Sequence, residues 1–306
     1  MSERELVVLG TASQAPTRYR NHNGYLLRWD GEGILFDPGE GTQRQMTFAG
    51  VSAAAVTHIC ITHFHGDHCL GLPGVVHRLA ADQVPGPVPL HFPAEGAGFV
   101  EHLLHASLFE PAGRVVARPA GEGLAARLDG AATGASLLAR RLDHGVPVLG
   151  WRVEELPGVR MVPERLAALG VAGPGVGELQ RRGSLTVGGR TIGLAEVSET
   201  RPGQVFAFVM DTRPCPAALD LARGADLVVC EATFASEHAD LAARYGHMTA
   251  RDAGALAAEA GARSLVLTHF SQRYPDVDRL VAEARREFPD TVAARDLDRI
   301  PVPRRR

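Results

Sequence analysis

The sequence predicts an α/β protein in which two β-sheets pack together and helices cover their outer faces. Strand-like runs come first, helical runs follow, and the same order then repeats later in the chain. A dense polar cluster also lies directly after one buried run, which is where sites form in α/β sheets. At 306 residues the chain is long enough to bury a large core, and we interpret residues 1–306 as a single domain.

The first half of the chain supplies the elements of the first predicted sheet. Apolar and β-branched runs predict strands at residues 5–10, 24–29, 33–36, 56–61 and 91–92. The turn sequence DGEG joins the second strand to the third. Helical periodicity follows at residues 72–83, with Pro73 near the start, and again at residues 94–109.

The second half repeats the order after an irregular stretch. Residues 112–149 are strand-like and rich in glycine and alanine. Residues 150–190 hold many glycines, two Pro-Gly steps and several arginines, and we predict an inserted flexible arm there. The later strands are predicted at residues 191–197, 205–211, 225–234 and 264–270. Helices are expected at residues 249–262 and 277–288.

Composition narrows the class of protein. The chain is 45% hydrophobic and 22% charged, as in ordinary globular proteins, and its formal net charge is −3. A globally basic nucleic-acid binder is excluded, so any contact with RNA must come from a local patch. The four scattered cysteines predict reduced thiols, and no apolar run reaches the length of a membrane span. We expect a cytoplasmic protein that binds neither a membrane nor DNA.

The polar cluster THFHGDHCLG, residues 62–71, concentrates metal-ligand side chains. Neutral imidazole and carboxylate together suit zinc and related divalent metals. If the segment is extended, His63, His65 and Asp67 alternate onto one face while His68 points elsewhere. One segment would then offer two ligand sets, which predicts a site for two metal ions.

Such a site needs further ligands from other strand ends. His144 follows the strand-like run SLLARRL, Asp211 ends the run VFAFVMD, and His269 lies at the end of SLVLTHF. Each residue alone would more often be structural. Combined with the polar cluster, they favour a shared metal site at the carboxyl edge of the sheets.

The motif THFHGDH with these strand-end residues resembles the metallo-β-lactamase superfamily. The resemblance implies a four-layer αβ/βα sandwich, with residues 150–190 as an inserted flexible arm and two Zn²⁺ ions per chain at one edge. It implies that one Zn²⁺ is held by His63, His65 and His144. It implies that the second is held by Asp67, His68 and His269, and that Asp211 bridges the two.

Further motifs resemble one family of that superfamily, the ribonuclease Z tRNA 3′-processing endonucleases. They are LGTASQAPTRYRN, ILFDPGEGTQRQM, HGDHCLGLPGV, GPGVGELQRRG, MDTRPC, EATF and THFSQRY. Together they cover essentially the whole chain. The resemblance implies an endoribonuclease that removes the 3′ trailer from precursor tRNA, leaving a tRNA 3′-OH and a trailer 5′-phosphate. It also implies a homodimer.

The resemblance assigns roles to individual residues. Asp67 would bind metal and accept a proton from water, and His247, oriented by Glu231, would protonate the leaving oxygen. The arm would contact tRNA through an exosite, and Arg44 and Arg273 would contact phosphates of the acceptor stem. The candidate RNA-binding residues are therefore Gly173, Pro174, Arg181, Arg182, Arg44 and Arg273.

Two positions depart from the family pattern. Cys230 stands where a histidine usually precedes the glutamate, and Met248 stands where a serine usually follows the histidine. Two alternatives stay open. One is another hydrolase of the same fold, such as a thioesterase, a lactonase or a phosphodiesterase acting on small molecules. The other is a non-catalytic RNA-binding module, although an intact set of seven candidate ligands argues against it.

Overall fold

The computed structural model describes residues 4–108, 113–130 and 134–305, and the chain divides into two compact units. The larger, here called the main unit, comprises Met1–Glu154 and Gln204–Arg306. The smaller, here called the arm unit, is Glu155–Gly203.

Strands and helices are numbered separately along the chain. The strands are β1 (Arg4–Gly10), β2 (Gly24–Trp29), β3 (Glu32–Phe36), β4 (His58–Cys60), β5 (Val88–Pro93), β6 (Val115–Ala120), β7 (Gly123–Leu128), β8 (Ala135–Arg141), β9 (Leu149–Glu155), β10 (Gly158–Met161), β11 (Ser184–Val187), β12 (Arg190–Gly193), β13 (Ser198–Arg201), β14 (Val205–Val209), β15 (Leu227–Glu231), β16 (Leu265–Thr268), β17 (Thr291–Ala293) and β18 (Arg299–Pro301). The helices are α1 (Thr42–Phe48), α2 (Gly66–Cys69), α3 (Leu72–Ala81), α4 (Ala97–Leu104), α5 (Pro163–Ala168), α6 (Pro174–Arg182), α7 (Leu194–Val197), α8 (Pro216–Ala222), α9 (Ala239–Tyr245), α10 (Ala250–Glu259) and α11 (Asp278–Glu287).

The main unit is built on two sheets, each of seven strands within the described residues. The first sheet has the order β18-β1-β2-β3-β4-β5-β6, and the second has the order β17-β16-β15-β14-β9-β8-β7. Strands β3 to β6 are parallel in the first sheet, and strands β14 to β17 are parallel in the second. Each sheet therefore has a carboxyl edge that can carry a site.

Strand side chains alternate between two cores, which explains why the strands are apolar on both faces. In β1, Leu6 and Val8 join the cluster between the sheets, whereas Val7 and Leu9 pack on the helical side. In β14, Phe206 and Phe208 face inward and their neighbours pack on the opposite helical side. The Phe36 ring stacks on the Phe208 ring across the sheets, with centroids 4.8 Å apart.

Helices cover the outer face of each sheet. The cluster outside the first sheet includes residues of α1, α3 and α4, and the cluster outside the second includes residues of α8, α10 and α11. The layer order is therefore helix, sheet, sheet, helix, and the predicted four-layer fold class is confirmed. Among the described residues, no helix combines the length and apolar character that crossing a membrane requires.

The arm unit is a small αβ assembly with its own core. β10 pairs with β13 and β11 pairs with β12, both antiparallel. Its buried apolar residues are Leu166, Val171, Leu179, Ile192 and Val197. These bounds differ from the predicted arm of 150–190. The difference arises because Trp151 and Val153 lie in the core between the sheets, and because residues 191–203 complete the arm's own strand pairs.

Some predicted elements differ in extent. The predicted strand at 191–197 is divided between β12 and α7, because Glu196 Oε1 accepts a hydrogen bond from the Gly193 amide and bends the chain into a helical turn. The predicted strand 56–61 contracts to β4. The predicted helix 94–109 becomes a short 3₁₀ turn, Ala94–Gly96, followed by α4. Residues 109 and 112, where two predicted elements end and begin, lie outside the described residues.

Candidate metal centre and active site

The polar cluster leaves β4 in extended form and then turns into a helix. His65 has extended backbone angles and immediately precedes α2, which contains Asp67 and His68. The predicted alternation of His63, His65 and Asp67 is therefore wrong beyond His65, because the helix begins at Gly66. The helix turns Asp67 away from the extended pair and places it beside His68.

The structure brings all the predicted ligands together in two groups. The first group holds His63, His65, His144 and Asp211, and the second holds Asp67, His68 and His269. Within each group the potential ligand atoms lie within 4.8 Å of one another. A third such group consists of Asp211, His247 and His269, so the candidate acid His247 borders the same site.

Asp211 lies between the two groups and faces both. Its Oδ2 is 3.6 Å from His63 Nε2 and 3.9 Å from His144 Nε2. Its Oδ1 is 3.4 Å from His68 Nε2 and 3.2 Å from His269 Nε2. A carboxylate with one oxygen toward each group is the arrangement that a ligand shared by two cations requires.

Four of the histidines are held through the ring nitrogen that faces away from the cluster. His63 Nδ1 lies 3.0 Å from Thr62 Oγ1, and His68 Nδ1 lies 2.9 Å from Asp37 Oδ2. The corresponding nitrogens of the other two contact the Gly246 carbonyl (His144, 2.8 Å) and Thr233 Oγ1 (His269, 2.8 Å). Such contacts fix the tautomer and orient Nε2 toward a metal ion.

The residues fit a metal ion in two respects: several buried ligand atoms lack a hydrogen-bond partner, and the distances between ligand atoms suit a shared ion. His144 Nε2, His269 Nε2 and Asp211 Oδ1 are buried without a hydrogen-bond partner among the described residues. Buried polar atoms are rarely left unpaired unless something binds them. Two ligand atoms on one tetrahedral zinc ion are about 3.3 Å apart, which is close to the distances around Asp211. Burial also holds the pKa of His63 well below its usual value, which keeps the ring neutral for ligation.

Backbone strain is concentrated at this site. Asp37, Asp211 and His269 have φ values of 44°, 42° and 58°, in the left-handed region that side chains other than glycine rarely adopt. All three follow a strand and direct a side chain into the cluster. Strain of this kind persists where the surrounding structure demands a precise direction.

His247 and Glu231 form a hydrogen-bonded pair beside the cluster. His247 Nδ1 is 3.1 Å from each oxygen of Glu231, and Glu231 also accepts hydrogen bonds from the Thr212 amide and Thr233 Oγ1, each at 2.6 Å. Burial alone would lower the pKa of His247, but the Glu231 charge and hydrogen bond raise it to about 9. A raised pKa favours the protonated ring, which is the form that a proton donor needs.

Gly246 explains the position of His247 relative to the cluster. Its φ is +79°, and a Cβ there would lie 2.8 Å from His144 Nδ1. Only a glycine can therefore turn the chain here while its carbonyl accepts from His144. Gly246 ends α9 and places His247 in the next position, with the His144 and His247 ring centroids 5.1 Å apart.

A cleft of about 750 Å³ opens over the cluster. It is lined by parts of both groups together with Phe234, Tyr245, His247 and Arg273. Arg44 lies elsewhere, on α1, with its guanidinium 4.5 Å from the ring centroid of Phe48. Of the two arginines predicted to contact the acceptor stem, Arg273 is in the cleft lining and Arg44 is not.

The predicted RNA-binding residues of the arm lie on and beside α6. Gly173 precedes the helix, Pro174 begins it, and Arg181 and Arg182 form its last turn. All four are exposed. Many arm arginines pair with glutamates in the same unit: Arg160 and Arg165 with Glu199, Arg182 with Glu178, and Arg190 with Glu196.

Sequence reasoning missed the residues that orient the ligands. Asp37, Thr62 and Thr233 each contact a ring nitrogen of a ligand histidine. Asp37 had a detectable signal, since it directly follows β3 and lies in the motif FDPGEG. Thr62 and Thr233 also lie in quoted motifs, THFHGDH and EATF, but the residue type gave no sign that their hydroxyl groups contact histidines.

Known proteins resemble this chain along its whole length. The family model described as the metallo-beta-lactamase superfamily matches residues 17–253. The ribonuclease Z of Nocardia farcinica is 58% identical over 308 residues and that of Streptomyces coelicolor 55% identical over 309 residues, with 100% of each chain covered.

Solved structures agree with these relatives. Human tRNase Z, short form, superposes with a TM-score of 0.66 at 26% identity, covering 98% of this chain and 99% of its own. The metallo-beta-lactamase fold protein YhfI from Bacillus subtilis superposes with a TM-score of 0.69 at 17% identity, covering 98% and 99% of the two chains, and supports the fold alone. With full-length identity above half to curated relatives, the chain belongs to the ribonuclease Z family of the metallo-β-lactamase superfamily.

Proposed function

We infer that the protein is an endoribonuclease that removes the 3′ trailer from precursor tRNA, leaving a tRNA 3′-OH and a trailer 5′-phosphate. The observation that carries this inference is the presence, in one cleft, of both ligand groups and the His247–Glu231 pair. The cleft belongs to a chain that is 58% identical to a ribonuclease Z along its full length.

Mapping of the cleavage products tests the inference directly. Purified protein is incubated with a precursor tRNA that carries a 3′ trailer, and both new ends are sequenced and chemically typed. A single cut directly 3′ of the discriminator nucleotide, with a 3′-OH and a 5′-phosphate, is expected. An uncut precursor, combined with hydrolysis of a thioester or lactone, would instead support a different hydrolase of this fold.

We propose two Zn²⁺ ions per chain as the cofactor. His63, His65 and His144 would hold one ion, Asp67, His68 and His269 the other, and Asp211 would contribute an oxygen to each. Metal ions in such a site lower the pKa of water and stabilise negative charge on the reacting phosphate. Elemental analysis of protein never exposed to chelator should give two zinc ions per chain, and a value of one or less would contradict the proposal.

The Asp211→Ala variant tests the shared ligand in the same measurement. Because its two oxygens face different groups, the variant should lose both ions, whereas His65→Ala should lose at most one. Exposed His102→Ala serves as the control and should retain both. Equal metal loss in the Asp211 and His65 variants would show that Asp211 serves a single ion.

Asp67 and His247 would handle the protons of the reaction. Asp67 Oδ2 lies 3.5 Å from His269 Nε2 within the second ligand group, which supports our proposal that Asp67 binds metal and accepts a proton from the attacking water. His247 would donate a proton to the leaving 3′ oxygen of the tRNA while Glu231 holds its ring and balances its charge. The two residues would therefore act on opposite sides of the phosphorus.

The proposal has three further parts: the arm unit binds tRNA, the protein forms a homodimer, and it is located in the cytoplasm. The arm unit carries six arginines against five glutamates in residues 155–203 and so offers positive charge within an acidic chain. We propose that it binds precursor tRNA away from the cut, with Gly173, Pro174, Arg181 and Arg182 in contact, and that two chains associate. Binding to labelled precursor tRNA tests the role of the arm unit, and light scattering tests whether two chains associate. Fractionation of cells tests the location.

A further inference from the structure

Arg213 lies two residues after the candidate ligand Asp211 and has no role in the proposed mechanism. Its hydrogen bonds join three segments of the main unit. The first is its own loop after β14, which carries Asp211. The second is the loop after β8, which carries His144, and the third is α9, the helix that ends just before His247. A shared ligand, a ligand of the first group and the candidate proton donor therefore all depend on segments that Arg213 contacts.

Arg213 is tied to the loop of His144 by its backbone and by its side chain. Its amide donates to the Asp143 carbonyl at 2.9 Å, and its Nη1 donates to Asp143 Oδ1 at 3.1 Å. The neighbouring Thr212 adds a third contact, since its Oγ1 accepts a hydrogen bond from the Asp143 amide at 3.0 Å. Asp143 immediately precedes His144, so these contacts hold that ligand's loop against the loop that carries Asp211.

The same guanidinium also reaches the end of α9. Arg213 Nε donates to the Ala243 carbonyl at 3.0 Å. Ala243 lies in the last turn of α9, where carbonyl groups lack partners within the helix and commonly accept from a basic side chain. A Cβ at Gly246 would lie 3.4 Å from Arg213 Nη1, so the guanidinium lies beside the residue that turns the chain toward His247.

These contacts fix the distance between the candidate proton donor and the candidate ligands. His247 directly follows Gly246, and its ring centroid lies 5.1 Å from that of His144. The side chains of Arg213 and Asp143 are 35% and 56% exposed, so their ion pair contributes little to stability. We propose that Arg213 is a positioning residue that sets the place of His247 relative to the metal centre, an inference that rests on the proposed function.

Two substrates separate a positioning role from a structural one. In precursor tRNA the leaving group is the 3′ oxygen of the tRNA, an alkoxide that needs a proton, whereas a diester of p-nitrophenol has a phenolate that leaves without one. Arg213→Ala should therefore lower kcat on precursor tRNA about 10- to 100-fold with KM unchanged, the loss expected when a catalytic group is displaced by about 1 Å. Its rate on the p-nitrophenyl diester and its zinc content should match those of the wild type.

A double-variant cycle tests whether Arg213 acts through His247. In the His247→Ala background, Arg213→Ala should cause no further loss on precursor tRNA, because no proton donor is left to be placed. Arg213→Lys keeps the charge but offers a single nitrogen to two acceptors, so it should recover only part of the loss. Arg223→Ala, at an exposed arginine that pairs with Asp220 at 3.2 Å, is the control and should behave as wild type.

Three outcomes overturn the proposal. A parallel loss of zinc and of activity on both substrates would make Arg213 part of the scaffold of the metal centre. A higher KM on precursor tRNA, with a shallower salt dependence, would make it a contact to RNA phosphate. Losses from Arg213→Ala and His247→Ala that multiply would show that the two residues act independently. Failure of the wild-type enzyme to cut precursor tRNA would instead refute the proposed function, a result that is obtained before any variant is compared.

Discussion

Thr233 illustrates how much of the site depends on single hydroxyl groups. Its Oγ1 lies 2.6 Å from Glu231 Oε2 and 2.8 Å from His269 Nδ1. The hydroxyl can donate to the carboxylate and accept from the imidazole, so it connects the candidate acid pair to a candidate metal ligand. Geometry of this kind makes the candidate proton donor and the candidate metal centre parts of one network.

The role of His247 gives the first prediction. His247→Ala should lower kcat on precursor tRNA by roughly 10²- to 10⁴-fold with little change in KM, because it removes a proton donor used in the transition state. Zinc content should not change. Single-turnover kinetics and elemental analysis check this, with His102→Ala as the control. A parallel fall in metal content and rate would make His247 a ligand rather than an acid.

At this scale the candidate ligand residues were predictable from the sequence, and the orientation of their side chains was not. His63, His65, Asp67 and His68 lie in one short motif, and their residue types alone indicate a metal. Asp37 orients the His68 ring because it contacts Nδ1 and leaves Nε2 facing the cluster. The spacing of residues in the sequence does not show which ring nitrogen is contacted.

Among the elements, β15 and the loop before α10 carry the two departures from the family pattern, and the departures meet each other. Cys230 Sγ lies 3.8 Å from Met248 Sδ, and both side chains are fully buried. Burial also raises the pKa of the Cys230 thiol well above its usual value, so it remains neutral. A soft apolar contact thus supports the loop that carries His247.

This pair of sulfur atoms gives the second prediction. Cys230→His alone should destabilise the fold by about 2–4 kcal/mol, because it places a larger polar ring against a thioether in a closed core. Adding Met248→Ser should recover about 1 kcal/mol or more, since the hydroxyl gives the imidazole a partner. Urea unfolding of both single variants and the double variant measures the coupling. Strictly additive free energies would show that the two positions are independent.

The third prediction concerns α6 of the arm unit. Arg181→Ala with Arg182→Ala should weaken binding of precursor tRNA and make it less salt-dependent, by about one unit of slope for each phosphate that the variant no longer neutralises. Hydrolysis of a small chromogenic phosphodiester should not change. The pair Arg223→Ala with Arg286→Ala removes the same charge from the main unit and is the control. Loss of activity on both substrates alike would mean that α6 shapes the catalytic cleft.

The bounds of the arm unit could not be predicted because its fold depends on non-local pairing. β10 pairs with β13 across the whole unit, and nothing in the local pattern of either strand specifies its partner. The strong strands β1 to β3 and β14 to β16 were predictable because they are buried on both faces and therefore read as apolar runs.

The fourth prediction is a property of the whole molecule, its stability as a function of pH. His91 lies beside His58, with ring nitrogens 3.2 Å apart, and burial together with the charges of His58 and Arg118 lowers the pKa of His91 to about 4. The unfolded chain, with a pKa near 6.5, binds the proton more readily. Stability should therefore fall as pH drops from about 6.5 to about 4 and level off below, with His91 contributing at most about 3 kcal/mol.

His91→Leu tests this contribution. The variant removes the titrating ring, so its unfolding free energy should decline less steeply than that of the wild type between pH 6.5 and 4. Urea unfolding at several pH values measures the difference, and His102→Ala, at an exposed histidine, should follow the wild-type curve. Parallel curves for wild type and His91→Leu would exclude His91 as a source of acid sensitivity.

The ligands are divided between the sheets, and this division has a mechanical consequence. His63, His65, Asp67 and His68 follow a strand of the first sheet, whereas His144, Asp211 and His269 follow strands of the second. A cation held by this set would link the two sheets directly, in addition to the core that they share. The affinity for the cation and the stability of the packing between the two sheets would then be coupled. Weaker packing of Phe36 against Phe208, in the core between the sheets, would therefore lower the affinity of the site for metal.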